Sequence, residues 1–196
     1  MLQFASYPSL IYTIAFTASF WSWCLFEIWV FSRDLGKAKG NSRSGGGWVV
    51  LALAIGITVG LNMPALAPMF NIQSHFTAYF VFGILLIWAG ILFRFWSIRT
   101  LGNLFSTRLV IQERHALITT GPYKYIRNPS YTGALITFMG FGLGTGNWLS
   151  AAVFLCAGLL AYARRIRTEE SMLLEQFGGE FEEYKKRTWA LIPFVW

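Results

Sequence analysis

Apolar stretches of about 20 residues recur along this chain, and they constrain its fold more than any other feature. A helix of that length spans the hydrocarbon core of a bilayer and satisfies its own backbone hydrogen bonds there. Charged residues make up only 13% of the chain, whereas a soluble domain carries about 25%. The sequence therefore predicts an all-α integral membrane protein.

Five apolar segments are predicted. They run from about Pro8 to Phe31, Trp48 to Phe70, Phe76 to Ile98, Tyr131 to Gly144 and Trp148 to Ala163. The fourth segment is short for a full span, so we expect it to tilt or to end below the far surface. Only a tight turn separates it from the fifth, which predicts a helical hairpin. Residues 1–9 contain no Lys or Arg, so we expect the first segment to be retained as a span and not cleaved as a signal peptide.

The basic residues are distributed on one side of this arrangement. All 16 Lys and Arg fall after segments one and three, in the C-terminal region, or near the adjoining segment ends. Five spans place these regions on the same face, which the positive-inside rule assigns to the cytoplasm together with the C-terminus. The net charge of +7 then reflects topology, and we expect the lipid bilayer and no nucleic acid as a partner. Cys24 and Cys156 lie in apolar segments, where packing is expected and neither a disulfide nor a metal site.

Charged residues inside or next to the spans have more specific roles. Glu27 and Arg94 lie near the predicted inner ends of segments one and three, so we expect a structural ion pair. The region from Arg164 to Arg187 has the pattern of a cytoplasmic amphipathic helix lying at the membrane surface. Gly178 and Gly179 interrupt that pattern and predict a division into two helices.

The polar loop HALITTGPYKYIRNPSY, from His115 to Tyr131, separates segments three and four. Its end, Asn128-Pro129, is typical of a helix start, because Asn is a favoured N-cap and Pro suits the first turn. The unpaired N–H groups of such a helix end attract anions. From the residues alone, an anion-binding loop and an ordinary basic cytoplasmic loop both remain open.

The same loop, followed by RIRTEESMLLEQFGGEFEEYKKR and then by LIP, resembles the isoprenylcysteine carboxyl methyltransferase family. That family shares a wider group with membrane phospholipid N-methyltransferases. The similarity runs from about Leu101 to Pro193, while segments one and two match only in being apolar. We therefore expect an N-terminal transmembrane helix pair at 1–75 and a methyltransferase core at 76–196.

The resemblance implies S-adenosyl-L-methionine as the methyl donor, and it implies a set of site residues. Those implied for the cofactor are Gln112, His115, Ala116, Leu117, Ile118, Tyr123, Asn128, Pro129, Ser130, Tyr131 and Glu169. Arg165 falls where the family places a substrate-contacting arginine, so Arg165 and Glu169 are the implied catalytic residues. The family usually has His where this chain has Asn128.

The chemistry of these residue types agrees with the implied roles. The start of segment four suits the donor's carboxylate, and Glu169 suits a cationic or hydroxyl group. A carboxylate or thiolate acceptor needs no base, so positioning and exclusion of water suffice for methyl transfer. An amine acceptor must lose a proton, and His115 is the nearby imidazole. A role for His115 as a base and a role as a structural hydrogen-bond donor both remain open.

The expected function is membrane methyl transfer to a lipidic or lipid-modified acceptor, with carboxyl O-methylation of an isoprenylcysteine-like substrate as the leading interpretation. N-methylation of a phospholipid amine and S-methylation of a small apolar thiol are the alternatives among enzymes. A non-catalytic membrane scaffold is the alternative from another class.

Overall fold

The computed structural model describes residues 7–33, 46–105 and 117–193. The described residues form six α-helices and three short 3₁₀ turns, and their only β pairings are isolated bridges. The helices are α1 (Leu10–Ser32), α2 (Gly46–Leu66), α3 (Phe76–Leu101), α4 (Pro129–Gly144), α5 (Trp148–Phe177) and α6 (Gly179–Arg187). The turns are Pro68–Phe70, Gly102–Leu104 and Gly121–Lys124.

Four of the described helices, α1, α2, α3 and α5, are long and apolar enough to cross a membrane. The fifth apolar helix, α4, has 16 residues and rises about 24 Å, less than the roughly 30 Å of hydrocarbon. Most residues of α4 are buried by protein. The all-α membrane fold is therefore confirmed, while a fifth crossing by α4 stays a prediction.

The helices α3 and α4 are packed backbone to backbone through glycines. A Cβ placed on Gly140 would lie 2.6 Å from the carbonyl oxygen of Gly83. A Cβ on Gly133 would lie 2.8 Å from both the carbonyl oxygen of Gly90 and the backbone nitrogen of Arg94. Real side chains do not fit at such distances, so these glycines permit the close approach and fix the position of α4 along α3.

The two N-terminal helices pack against the region that follows them. On α1, Phe16 contacts Phe141 of α4 with ring centroids 6.0 Å apart, and Trp23 contacts Phe138 at 6.0 Å. The helix α2 packs along α5, where a Cβ on Gly60 would meet the ring of Phe154. The division at residue 76 remains a prediction.

The helix α5 differs from the prediction. The sequence predicts that this segment ends at Ala163 and that a separate surface helix follows, but one helix continues to Phe177. The change from apolar to charged residues does not end it, because no Gly or Pro occurs between Ala163 and Phe177. The helix ends at Gly178, whose φ of +50° favours glycine. The predicted division at this point is therefore confirmed.

One end of the bundle carries no Lys, Arg, Asp or Glu among the described residues, and we call it the uncharged end. Its centre is Asn147, which is fully buried. The Asn147 Nδ2 donates to the carbonyl of Ala67 at 3.1 Å and to Oδ1 of Asn71 at 2.7 Å. Its Oδ1 accepts from the backbone N–H of Ser150 at 2.9 Å and so caps α5. This asparagine joins the α2–α3 connection to the α4–α5 turn.

The opposite end, the charged end, contains the described Lys and Arg residues. Here Arg94 of α3 pairs with Glu27 of α1, with Nη2 and Oε2 separated by 3.1 Å. The predicted ion pair is confirmed.

Candidate functional site

The loop that leads into α4 is compact and partly buried. Gly121–Lys124 forms a 3₁₀ turn that starts at a positive φ of 57° on Gly121 and contains the buried residues Pro122 and Tyr123. Burial raises the pKa of Tyr123, and the charge of Glu169 raises it further. Tyr123 is therefore a neutral hydroxyl at the edge of the site.

The start of α4 is at Pro129, as predicted, but Asn128 does not cap it through its side chain. The Asn128 Nδ2 donates instead to the carbonyl of Ala190 at 3.1 Å, and the Asn128 backbone N–H donates to the same oxygen at 3.1 Å. The expectation of a capping side chain is wrong, because the bond to Ala190 orients the Asn128 side chain toward the returning C-terminal segment and its Oδ1 accepts no N–H of the first turn.

That segment, Thr188–Leu191, is called the C-terminal strap. A parallel bridge joins Ile126 to Trp189, and the backbone N–H of Arg127 donates to the carbonyl of Trp189 at 2.8 Å. The hydroxyl of Thr132 donates to the carbonyl of Leu191 at 2.7 Å. Leu191 is fully buried. The strap therefore fixes the loop and the first turn of α4 to the end of the chain.

A cluster of polar and aromatic side chains links α4 to α5. The Tyr131 hydroxyl donates to Oε1 of Glu169 at 2.6 Å, and Nε of Arg165 donates to the same oxygen at 2.8 Å. The Arg165 guanidinium also lies 5.7 Å from the centre of the Tyr131 ring. The Tyr131 ring also stacks on the ring of Tyr162, with centroids 4.7 Å apart. We call Tyr131, Arg165 and Glu169 the site cluster.

The neighbouring carboxylate, Glu170, has different partners. Nε of Arg127 donates to its Oε1 at 2.9 Å, and Nζ of Lys185 lies 3.4 Å from its Oε2. Arg127 also donates to the carbonyl groups of Lys185 and Thr188, so it ties Glu170 to α6 and to the strap. Glu170 is thus structural, whereas Glu169 faces the start of α4.

Sequence reasoning did not identify Arg127. Arg127 and Glu170 are 43 residues apart, and no local pattern in the sequence connects them. The Tyr184 hydroxyl connects α6 to the 3₁₀ turn before α4 by donating to the carbonyl of Tyr123 at 2.7 Å. Burial raises the pKa of Tyr184 to about 12, with Arg127 lowering it and Glu170 raising it.

Most of the site residues implied by the sequence lie at this junction. Asn128, Pro129, Ser130 and Tyr131 form the start of α4, which faces Arg165 and Glu169 of α5 through Tyr131. Leu117 and Ile118 are half-buried in the segment before the 3₁₀ turn. Gln112, His115 and Ala116 lie outside the described residues, so their roles stay predictions. Within the described ranges, no group of three His, Cys, Asp or Glu side chains could hold a metal ion.

This arrangement can bind a ligand that carries both signs of charge. The N-terminus of α4 attracts an anion, and Glu169 attracts a cation on the facing helix. Tyr131 offers a ring face and a hydroxyl between them.

The chain is similar to known methyltransferases. Residues 78–180 match the sequence profile of the phospholipid methyltransferase family. Protein-S-isoprenylcysteine O-methyltransferase of Schizosaccharomyces pombe is 32% identical over 131 residues, which are 65% of this chain and 55% of that protein. This chain therefore spans little more than half the length of the fission yeast relative.

A probable protein-S-isoprenylcysteine O-methyltransferase of Oryza sativa subsp. indica is 30% identical over 148 residues, or 74% of this chain and 76% of the rice protein. The solved structure of a eukaryotic intramembrane Ras methyltransferase, isoprenylcysteine carboxyl methyltransferase, matches with a TM-score of 0.62 and 24% identity. The match covers 79% of this chain and 55% of that one, and it shows a shared fold. With more than half of its residues in the family profile and most of the rice protein matched, this chain belongs to the family of phospholipid and isoprenylcysteine methyltransferases.

Proposed function

We propose that this protein is an S-adenosyl-L-methionine-dependent methyltransferase that methylates the carboxyl group of an isoprenylcysteine-like acceptor. The observation that carries this proposal is the site cluster, in which Arg165 and Tyr131 converge on Glu169 beside the start of α4. Its relatives include protein-S-isoprenylcysteine O-methyltransferases, which supports the choice of acceptor.

The residues present fit the proposed donor. The donor carries a carboxylate, an ammonium and a sulfonium group. The start of α4 suits the carboxylate, and Glu169 suits a cationic or hydroxyl group across the junction. The rings of Tyr123 and Tyr131 provide apolar surface with a hydrogen-bonding hydroxyl. Bound there, the donor supplies an activated methyl group.

The proposed acceptor site centres on Arg165. Its side chain is largely buried, with 11% exposed, and it already makes a charge-assisted bond to Glu169. A planar guanidinium can orient a carboxylate through two parallel hydrogen bonds. Because an ionised carboxylate has no proton to lose, the protein needs only to hold the reactants in line and to exclude water.

A prenylated acceptor would reach the site from the bilayer. The site cluster lies on the same helices whose apolar side chains face outward, such as Leu160 of α5, which is 64% exposed. We propose that the charged end of the bundle faces the cytoplasm, where the Lys and Arg residues meet the positive-inside rule. Reporter fusions at the two termini of the chain test this orientation, and a cytoplasmic N-terminus would contradict the five-span arrangement.

A second candidate is N-methylation of a phospholipid amine, which the name of the matching family profile favours. An amine acceptor requires a base, and the imidazole proposed for that role is His115. A carboxylate acceptor requires none, so we place it first.

Transfer of a labelled methyl group separates the candidates. The purified protein in lipid nanodiscs would receive methyl-labelled S-adenosyl-L-methionine with a prenylated cysteine, a phospholipid amine or an apolar thiol. We expect label in a base-labile methyl ester of the prenylated cysteine. Label in the phospholipid or in a volatile thioether would assign the corresponding alternative, and the absence of both donor binding and transfer would indicate a scaffold.

A further inference from the structure

The ion pair between Glu27 and Arg94 also contacts the helix that begins at the proposed donor site. Arg94 is 8% exposed and uses its guanidinium in two directions. Nη2 contacts Glu27 of α1 at 3.1 Å, and Nη1 donates to the carbonyl of Ser130 in the first turn of α4 at 3.4 Å. The next residue, Tyr131, bonds to Glu169. A continuous path therefore runs from α1 to the site cluster.

We infer that Arg94 is a positioning residue for the start of α4, and that Glu27 on α1 holds Arg94 in place. This inference rests on the proposed function, because the start of α4 is the part assigned to the donor's carboxylate. It gives the first helix, which lies outside the matched family region of residues 78–180, a part in donor affinity.

The packing of α3 on α4 makes this role possible. Gly133 brings α4 against the backbone of Arg94, so that a Cβ there would lie 2.8 Å from the Arg94 nitrogen. Ser130 lies one turn before Gly133 in α4, so its carbonyl is within reach of the Arg94 side chain. The contact at Gly133 fixes the position of α4 along α3. The Arg94 guanidinium then restrains the Ser130 carbonyl in the first turn of α4.

The hydrogen bonds of Arg94 argue against a purely packing role. Its Nε is buried without a hydrogen-bond partner among the described residues, and an unmade buried hydrogen bond is costly. Apolar residues of similar size often replace a buried ion pair without loss of stability. An apolar residue cannot reproduce the bond to Ser130 or the side-chain interaction with Tyr162, whose ring stacks on Tyr131.

Two changes separate positioning from stability. Arg94→Lys keeps a cation near Glu27 but lacks the planar fork that reaches two partners at once. Glu27→Leu combined with Arg94→Met removes both charges together and keeps apolar volume. The matched control is Trp88→Phe, which removes another α1–α3 hydrogen bond, from the indole Nε1 to the Ser19 hydroxyl at 3.3 Å, without a bond to α4.

Donor affinity would be measured by calorimetric titration of S-adenosyl-L-methionine, beside Tm, donor KM and kcat. For both Arg94 changes we expect donor Kd and KM to rise about tenfold, the effect of losing one charge-assisted hydrogen bond. We expect kcat at saturating donor to stay within about twofold, because the acceptor side is untouched. Trp88→Phe should leave Kd and KM at the wild-type value. The double change Glu27→Leu with Arg94→Met should keep the wild-type Tm.

Unchanged donor Kd in the stably folded double variant would overturn the inference, and so would a fall in Tm for Arg94→Lys with no change in KM. A wild-type protein that binds no donor would instead refute the proposed function. The two failures are therefore distinguishable.

Discussion

The two ends of this helical bundle are fastened by different chemistry. At the uncharged end, Asn147 joins two connections through neutral hydrogen bonds and is fully buried. At the charged end, ion pairs and the C-terminal strap hold the loop before α4, and Glu169 remains 26% exposed. The Asn147 side chain has no exposed surface that a ligand could reach, whereas a partly exposed carboxylate can exchange its partners for a ligand. Of Asn147 and Glu169, the group that can exchange its partners is Glu169, which lies at the charged end.

The largest expected effect concerns Glu169. We expect Glu169→Ala to weaken donor binding by about a thousandfold, because it removes the charge opposite the start of α4 and the carboxylate oxygen that both Tyr131 and Arg165 bond. Arg165→Ala and Arg165→Lys should keep donor affinity within about threefold while losing most transfer to a carboxylate acceptor. Calorimetric donor titration beside a transfer assay measures both quantities.

Equal loss of donor affinity in the Glu169 and Arg165 alanine variants would show that the two residues form only an i,i+4 salt bridge. Full activity in Arg165→Ala would point away from a carboxylate acceptor.

The next effect concerns the fastening of the charged end. We expect Arg127→Ala to lower the free energy of unfolding by about 3 kcal/mol, since it leaves the largely buried Glu170 without its main partner. The double change Arg127→Ala with Glu170→Ala should recover part of that loss. Thermal unfolding in detergent measures both, and equal stability of the single and double variants would contradict the pairing.

At the uncharged end, we expect Asn147→Ala to cost about 2 kcal/mol of stability, because it removes the acceptor of the buried Ser150 N–H. The partly buried oxygens of Ala67 and Asn71 lose a donor as well. Donor Kd should not change, since no bond of Asn147 reaches the site cluster. A donor Kd altered in proportion to the stability loss would show that the two ends do not act separately.

The smallest effect is expected at Asn128. Histidine can donate a hydrogen bond to the Ala190 carbonyl in place of the amide, so Asn128→His should keep transfer within about twofold. Asn128→Ala should lower stability by about 1 kcal/mol and weaken donor binding through a looser strap. A hundredfold rise in turnover for Asn128→His would show instead that this position takes part in the chemistry.

The parts of the fold that depend on local chemistry could be predicted from the sequence. The lengths of the apolar segments predict the membrane helices. The similar positions of Glu27 and Arg94 near the inner ends of their segments predict the ion pair, and Gly178-Gly179 predicts the break between α5 and α6. The start of α4 followed from Pro129 in the same way.

The remaining features depend on contacts distant in the chain. The C-terminal strap has no periodic sequence pattern that would predict it. The bond from the Asn128 amide to the Ala190 carbonyl is visible only in the folded structure. The same is true of the pairing of Arg127 with Glu170. The predicted end of α5 at Ala163 is wrong for another reason, since the change from apolar to charged residues does not end the helix. A helix ends where its backbone hydrogen bonds end, not where its surroundings change.

Because α5 is one unbroken helix, the thickness of the bilayer would affect the depth of the site cluster in the membrane. Thirty residues in one helix rise about 45 Å, well beyond the roughly 30 Å of hydrocarbon. Arg165 lies about 26 Å along this helix from its first residue, Trp148. With Trp148 at one surface of the hydrocarbon, Arg165 would lie close to the opposite boundary between lipid tails and headgroups. A thicker membrane would then draw this arginine and Glu169 toward the tails, and a thinner one would bring them closer to water, so lipid composition would change the surroundings of the exposed part of Glu169.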